Sequence, residues 1–240
     1  MKKGFKKSLL FIIIVIIIIC GFFYMLKNTA LNLESSSVIG INPSLANRDK
    51  LMEGNGIDVT PERLLVNRDN GLNKDYIPEG LSIPNIPFSD KSEDEEKHVA
   101  GIIVKPLEEL VNEAKGEGII LIGNSGYRSY RSQKNIYKKR IKSQGKELAD
   151  AYVAKPGFSE HQTGLCIDIT NKDRCFLEGT KEADWLGENC YKFGFIIRYP
   201  KEKKSITNIE YEPWHIRYVG KEAAKYIYDN KITFEEYLGK

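Results

Sequence analysis

Two short stretches of this chain hold two of its three histidines together with two carboxylates: Ser159-Glu-His161-Gln-Thr-Gly164-Leu-Cys-Ile-Asp168 and Glu212-Pro-Trp-His215. Those side-chain types form the inventory of a hydrolytic metal centre. A catalytic zinc ion takes three protein ligands from His and Asp/Glu, leaves one position open for water, and works beside a further carboxylate that accepts the water's proton. His161, Asp168 and His215 can ligate, and Glu212 can be the base. The third histidine, His98, has no ligand-spaced partner and reads as a surface residue.

The local pattern says how the four can converge. Pro156-Gly-Phe-Ser159 has loop composition, and Gly164 lets the backbone turn into a strand carrying Asp168, so a loop histidine and a strand aspartate can meet. Glu212 and His215 differ by three positions, which in a regular strand puts them on opposite faces. Pro213 breaks that regularity, because it cannot donate to a ladder. Glu212 can then precede the strand and His215 lie within it, both reaching one cavity.

The elements that must carry these residues follow from periodicity and breakers. Strands are expected at 63–67, 118–122, 165–170, 195–199 and 214–219. Helices are expected at 92–114 (apolar stripe Val99, Ile102, Ile103, Leu107, Leu110, Val111), at 130–143, at 146–154 before Pro156-Gly157, at 182–193 before Gly194, after Gly220, and near the C-terminus. Strands and helices mixed without regular alternation point to α+β.

The 240 residues accommodate one domain plus an appendage. Leu9 to Leu26 is an apolar run without charge, of a length suited to a hydrocarbon core that needs roughly 17 to 25 residues. Lys2, Lys3, Lys6 and Lys7 precede it, which predicts a cytoplasmic tail at 1–8, a transmembrane anchor at 9–26, an extracytoplasmic linker at 27–60 and a catalytic domain at 61–240. Phe22, Phe23 and Tyr24 at its end argue against a signal-peptide cleavage site. The net charge of +3, with acids and bases interspersed, offers no stripe for nucleic acid. Of the cysteines beyond the anchor, Cys166 reads as a small buried residue, while Cys175 and Cys190 either close a loop or remain thiols.

Ser159-x-His161-x-x-Gly164-x-x-x-Asp168 with Glu212-x-Trp214-His215 resembles the zinc D-alanyl-D-alanine carboxypeptidases of the VanY type, in a wider group that includes lysostaphin-like peptidases and hedgehog domains. Leu65-Val-Asn67, Tyr127-Arg128-Ser129 and Gln133 share in the resemblance, which covers roughly residues 60 to 240; Cys166 departs from it, standing where the family usually has alanine. The resemblance implies a small antiparallel sheet flanked by helices. It also implies one Zn2+ per chain on His161, Asp168 and His215, with Glu212 as general base and Arg128 stabilising the oxyanion. Ser159, Gln133, Tyr127, Ser129 and Trp214 are the implied substrate contacts; Ser159 and Gln133 suit equally well as supporting hydrogen-bonders, and Arg128 stays open as a structural arginine paired with a carboxylate. The implied substrate is the terminal D-Ala-D-Ala bond of peptidoglycan pentapeptide stems or lipid-linked precursors. An L,D-carboxypeptidase acting on tetrapeptides and a non-catalytic wall-binding module stay open as alternatives. Ser143-Gln-Gly-Lys146 matches the S-x-x-K of penicillin-binding proteins, but without S-D-N or K-T-G it stands alone.

Overall fold

A computed structural model of the protein describes residues 60–240. The expected tail, membrane segment and all but the last residue of the linker lie outside the described residues. No helix among the described residues is long and apolar enough to cross a membrane.

The centre of the domain is a four-stranded antiparallel sheet of β1 (Ile122–Ser125), β2 (Cys166–Thr170), β3 (Phe195–Ile197) and β4 (His215–Tyr218), in the order β1-β2-β4-β3. Alternation gives it one apolar and one polar face. Ile167, Ile169 and Ile216 point into the main core, where they meet Ile103, Leu107 and Leu110 from helix α1 (Gly101–Gly116). Cys166, Asp168, His215 and Arg217 occupy the opposite face. The β2–β4 register sets Asp168 directly across from His215, and Cys166 across from Arg217.

Helix α2 (Tyr130–Gln144) is capped by Ser129, whose hydroxyl accepts from the Ser132 amide, and ends at Gly145. Then come α3 (Lys146–Tyr152), a 3-10 turn at Glu160–Thr163, α4 (Lys181–Asn189), α5 (Lys204–Thr207), α6 (Lys221–Asn230) and α7 (Phe234–Tyr237). Gly164, with φ +66°, turns the chain into β2; a Cβ there would sit 2.9 Å from the Ala100 amide nitrogen. A second apolar cluster joins Leu65, Ile196 and Val219 to Ala224 and Ile227 of α6 and Phe234 of α7.

Four expectations need correction. Residues 63–67 form no strand: Pro61–Arg63 is a 3-10 turn, and Asn67 folds its side chain back onto the Asp69 and Asn70 amides. The helix expected from 92 begins only at Gly101, because Val99 pairs with Ser82 in an isolated bridge, and Ile102 faces solvent. The first strand lies at 122–125 instead of 118–122: Gly118, with φ +79°, and Ile119 finish the exit from α1, the Ile119 amide bonding back to the Ala114 carbonyl. The helix at 182–193 breaks after Asn189 into a 3-10 turn, Cys190–Phe193, that Gly194 terminates. Among the described residues Cys175, exposed, and Cys190, buried, are unpaired.

Under the polar face lies an ion network. Arg198 and Arg217 are fully buried. Glu160 accepts from Arg198 Nε at 2.8 Å and Arg217 Nη1 at 2.9 Å, while Glu235 takes both terminal nitrogens of Arg198 at 2.9 and 2.6 Å. Arg217 also donates to the carbonyls of Glu62 and Leu64. Removing one member of such a network strands the others without water. Glu235→Ala is therefore expected to lower unfolding free energy by about 3–5 kcal/mol, read from urea denaturation; a loss below about 1 kcal/mol, the scale of an exposed pair, would show that Glu235 does not neutralise Arg198.

Candidate metal centre and cleft

Three separate pieces of backbone deliver the site. His161 comes from the 3-10 turn, Asp168 from the middle of β2, and His215 from the first position of β4. Glu212 lies just before β4; its carbonyl accepts the His215 amide and its own amide bonds Tyr199. The Pro213-Trp214 turn thus brings Glu212 Oε2 to 3.8 Å from His215 Nδ1.

The imidazoles are oriented from behind. His161 Nδ1 meets the Gly126 carbonyl at 2.7 Å, which turns Nε2 towards Asp168 Oδ2 at 3.6 Å. Gly126 must be glycine for this: a Cβ would lie 2.4 Å from the His98 carbonyl. His215 is held the other way round, with Nε2 towards Glu160 at 3.4 Å and Nδ1 2.9 Å from Asp168 Oδ1. Carboxylate or carbonyl partners on the outer nitrogen are the usual means of fixing a metal-binding histidine.

The donor set fits zinc. Ligand atoms around a tetrahedral zinc with bonds of about 2.0 Å stand about 3.3 Å apart, and the observed separations of 3.6 and 2.9 Å bracket that edge. Asp168 Oδ1 is buried, and its 2.9 Å contact with His215 Nδ1 falls outside hydrogen-bond geometry, so a cation would satisfy it. Burial, helped by the Arg128 charge, lowers the His161 pKa to about 3, so the ring is neutral and free to ligate. Asp168 stays ionised at about 2; burial opposes its charge, but His161 and His215 outweigh it. Cys166 brings its sulfur within 4.8 Å of both histidines. Its thiol is fully buried, with a pKa raised by that burial, and does not line the cleft, whereas Asp168 does. An open coordination position requires a ligand at the cleft, which favours Asp168.

The cleft over this centre has a volume of about 260 Å³. Burial lifts Glu212 to about 7, suited to taking and returning a proton near neutrality. Arg128 Nη1 donates to the Gln133 side chain at 3.0 Å, and its buried Nε makes no hydrogen bond. Gln133 in turn donates to the Ala154 carbonyl, so it fixes Arg128 while its side chain lines the wall. Ser159 and Trp214 also line the cleft. Tyr127 and Ser129 do not: Tyr127 is buried beneath it and Ser129 caps α2.

Sequence reasoning missed Glu160, Arg198 and Arg217 behind His215, and the cleft residues Arg68, Arg140 and Tyr199. A charged residue inside an apolar strand was the available signal for the two buried arginines. His98 sits away from the centre, its Nδ1 on the Asp94 carbonyl. Ser143 and Lys146 are exposed, the lysine pairing with Asp150.

Residues 96–221 match the family described as VanY, D-alanyl-D-alanine carboxypeptidase. A putative carboxypeptidase of Bacillus subtilis, YodJ, is 41% identical over 212 residues, covering 85% of this chain and 78% of YodJ. Among solved structures, the LdcB LD-carboxypeptidase superposes with a TM-score of 0.70 at 44% identity, over 75% of this chain and 87% of LdcB. The D,D-pentapeptidase VanY from a VanB-type resistance cassette, in complex with Zn(II), gives a TM-score of 0.63 at 37% identity, over 75% of this chain and 99% of that one. With its paired histidines, aspartate and glutamate on the matched residues, this chain belongs to the VanY family of D-alanyl-D-alanine carboxypeptidases.

Proposed function

We propose that this protein is a zinc-dependent D,D-carboxypeptidase that removes the terminal D-alanine from peptidoglycan pentapeptide stems or their precursors. The observation that carries the reading is the pairing of Asp168 with His215 across two strands, with Glu212 3.8 Å from that histidine at the same cleft. His161, Asp168 and His215 hold the metal in this scheme. Bound there, zinc supplies a Lewis acid and lowers the pKa of its water towards 7.

Glu212 takes the proton from the attacking water and returns it to the departing amine, which needs a carboxylate whose affinity for a proton is close to that of the medium. Arg128, whose buried Nε makes no hydrogen bond and lies 3.8 Å from Glu96 Oε1, stabilises the oxyanion developing on the scissile carbonyl. Gln133 keeps that guanidinium in place, and Glu160 does the same for His215. A wall-binding module without catalysis would have no use for Glu212.

The location belongs to the proposal too. Leu9 to Leu26, behind four lysines, anchors a single-pass protein with its catalytic domain outside, where stem peptides are met. Protease added to intact cells should then remove the domain, and protection of the whole chain would overturn the topology. The likeness to LdcB favours an L,D-carboxypeptidase as the second reading.

Released amino acid from pentapeptide and tetrapeptide stems, followed with and without chelator, separates the readings. D-Alanine released from the pentapeptide and abolished by chelator is expected; release from the tetrapeptide alone assigns the L,D activity, and chelator-insensitive release removes zinc from the mechanism. Glu212→Gln should keep stoichiometric zinc and lose kcat by at least about 100-fold, the scale of general acid–base catalysis. Arg128→Gln should cost about 100- to 1,000-fold in kcat, the scale of one oxyanion donor. Full activity in either variant would reassign that role.

A further inference from the structure

Helix α2 departs from the mixed charge pattern of the chain. From Gly118 to Lys146 there are eight Lys and Arg residues and no Asp or Glu, in a protein whose net charge is only +3. Arg140 bonds the uncharged Gln144 side chain, and Lys146 pairs with Asp150. Arg131, Lys134, Lys138, Lys139 and Lys142 are exposed along α2 and pair with no carboxylate among the described residues.

The helix sorts its two kinds of side chain. Spacings of 3, 4 and 4 put Arg131, Lys134, Lys138 and Lys142 on one line of its surface, about 16 Å long at 1.5 Å per residue. Gln133, Ile136 and Arg140, also at helical spacing, turn the opposite way and line the catalytic cleft. So α2 is a wall with the cleft on its inner side and an unneutralised cationic stripe on its outer side. Like charges at i, i+4 repel and weaken the helix that carries them, which makes an external anion the natural counter-charge. The stripe is convex, a shape that meets a plane of anions better than a single polymer strand, which is held in a groove. At the corner where α3 folds back on α2 through the Tyr137–Asp150 bond, Leu148 stands 48% exposed two residues from Lys146. Cations beside an exposed leucine are the composition of surfaces that rest at a bilayer interface.

Resting on the anchored D,D-carboxypeptidase reading, we infer that the outer stripe of α2 docks the domain on anionic phospholipid headgroups, and that the stem peptide reached from there is that of a lipid-linked precursor instead of the mature wall. The bilayer that takes Leu9 to Leu26 supplies the headgroups. With the stripe against them, the cleft stands one helix diameter, about 10–12 Å, above the surface. An extended pentapeptide spans about 17 Å, so a stem carried on a membrane lipid reaches it.

The test uses the full-length protein in phosphatidylcholine vesicles with and without phosphatidylglycerol, a dansyl-labelled lipid reporting energy transfer from Trp185 and Trp214, the two tryptophans of the chain. Transfer should be at least about twofold higher with phosphatidylglycerol, since each lysine near an anionic surface contributes roughly fivefold in partitioning. It should fall to the phosphatidylcholine value in 1 M salt, which screens charges beyond about 3 Å, and in the Lys134→Glu/Lys138→Glu/Lys142→Glu variant. KM for a lipid-linked pentapeptide in the same vesicles should be at least about tenfold lower with phosphatidylglycerol, for the wild type only. On a soluble pentapeptide the two proteins should agree within about twofold, showing that the variant folds. Equal transfer in both vesicles, or undiminished transfer in the variant, overturns the docking surface. Binding of fluorescein-labelled polyphosphate with no gain in transfer overturns it in favour of an anionic wall polymer, and docking without the KM difference overturns the precursor as substrate. Extraction of the wild type from vesicles by a salt wash overturns instead the anchored reading, and failure to release D-alanine from the soluble pentapeptide the D,D reading.

Discussion

Two guanidinium groups without solvent have to be neutralised inside this domain, and the way that is done organises nearly everything else. Arg198 and Arg217 are fully buried. Glu160 serves both, and because it immediately precedes His161 and also contacts His215, the carboxylate that neutralises the arginines ties the two histidines to one rigid centre. Although burial opposes its charge, the two arginines hold Glu160 well below the usual carboxylate range, so it is always an acceptor. An acceptor there fixes which nitrogen of His215 faces the cleft. Buried ion networks contribute little net stability compared with apolar packing; here the return is the geometry of a metal centre.

The four residues with chemistry were legible because their types are restrictive: few arrangements need two histidines, an aspartate and a glutamate beside glycine and proline breaks. Their convergence was legible for a local reason, since Gly164 and Pro213 mark where a loop becomes a strand. The supporting network was not. Glu160, Arg198 and Glu235 are separated by tens of residues and meet only once the β3–β4 register and the docking of α7 are set. Element boundaries failed where a local hydrogen bond competed with periodicity, as Asn67 did with a strand and the Ser82–Val99 bridge with the first turns of a helix. Gln133 was open to two readings, a substrate contact or a supporting hydrogen-bonder, and its amide accepts from Arg128 at one end and donates to the Ala154 carbonyl at the other while lining the cleft.

A sheet with one apolar face and one ionic face solves a positioning problem. Ile167, Ile169 and Ile216 lock the strands to α1, so alternate positions Asp168 and His215 inherit the rigidity of the core without belonging to it. The irregularity between Gly123 and Ser125 lets β1 diverge after its pairing with β2, and the chain beyond it carries Gly126 behind His161 and Arg128 to the cleft. The proposed ligands, oxyanion donor and base therefore sit on four backbone segments that share one scaffold.

The contacts of Arg217 with the Glu62 and Leu64 carbonyls, and of Asn67 with Glu235, place the physical edge of the domain well outside residues 96–221, the stretch matching the family description. Individual relatives such as YodJ are similar over 85% of this chain, well beyond those limits. A fragment cut to residues 96–221 would keep every proposed ligand and the proposed base, yet it would remove the strap that receives Arg217 and the helix that answers Arg198. Modular transplantation of this activity has to carry residues 60–240 as one piece, because the stretch 96–221 is smaller than the unit that electrostatics allows to stand.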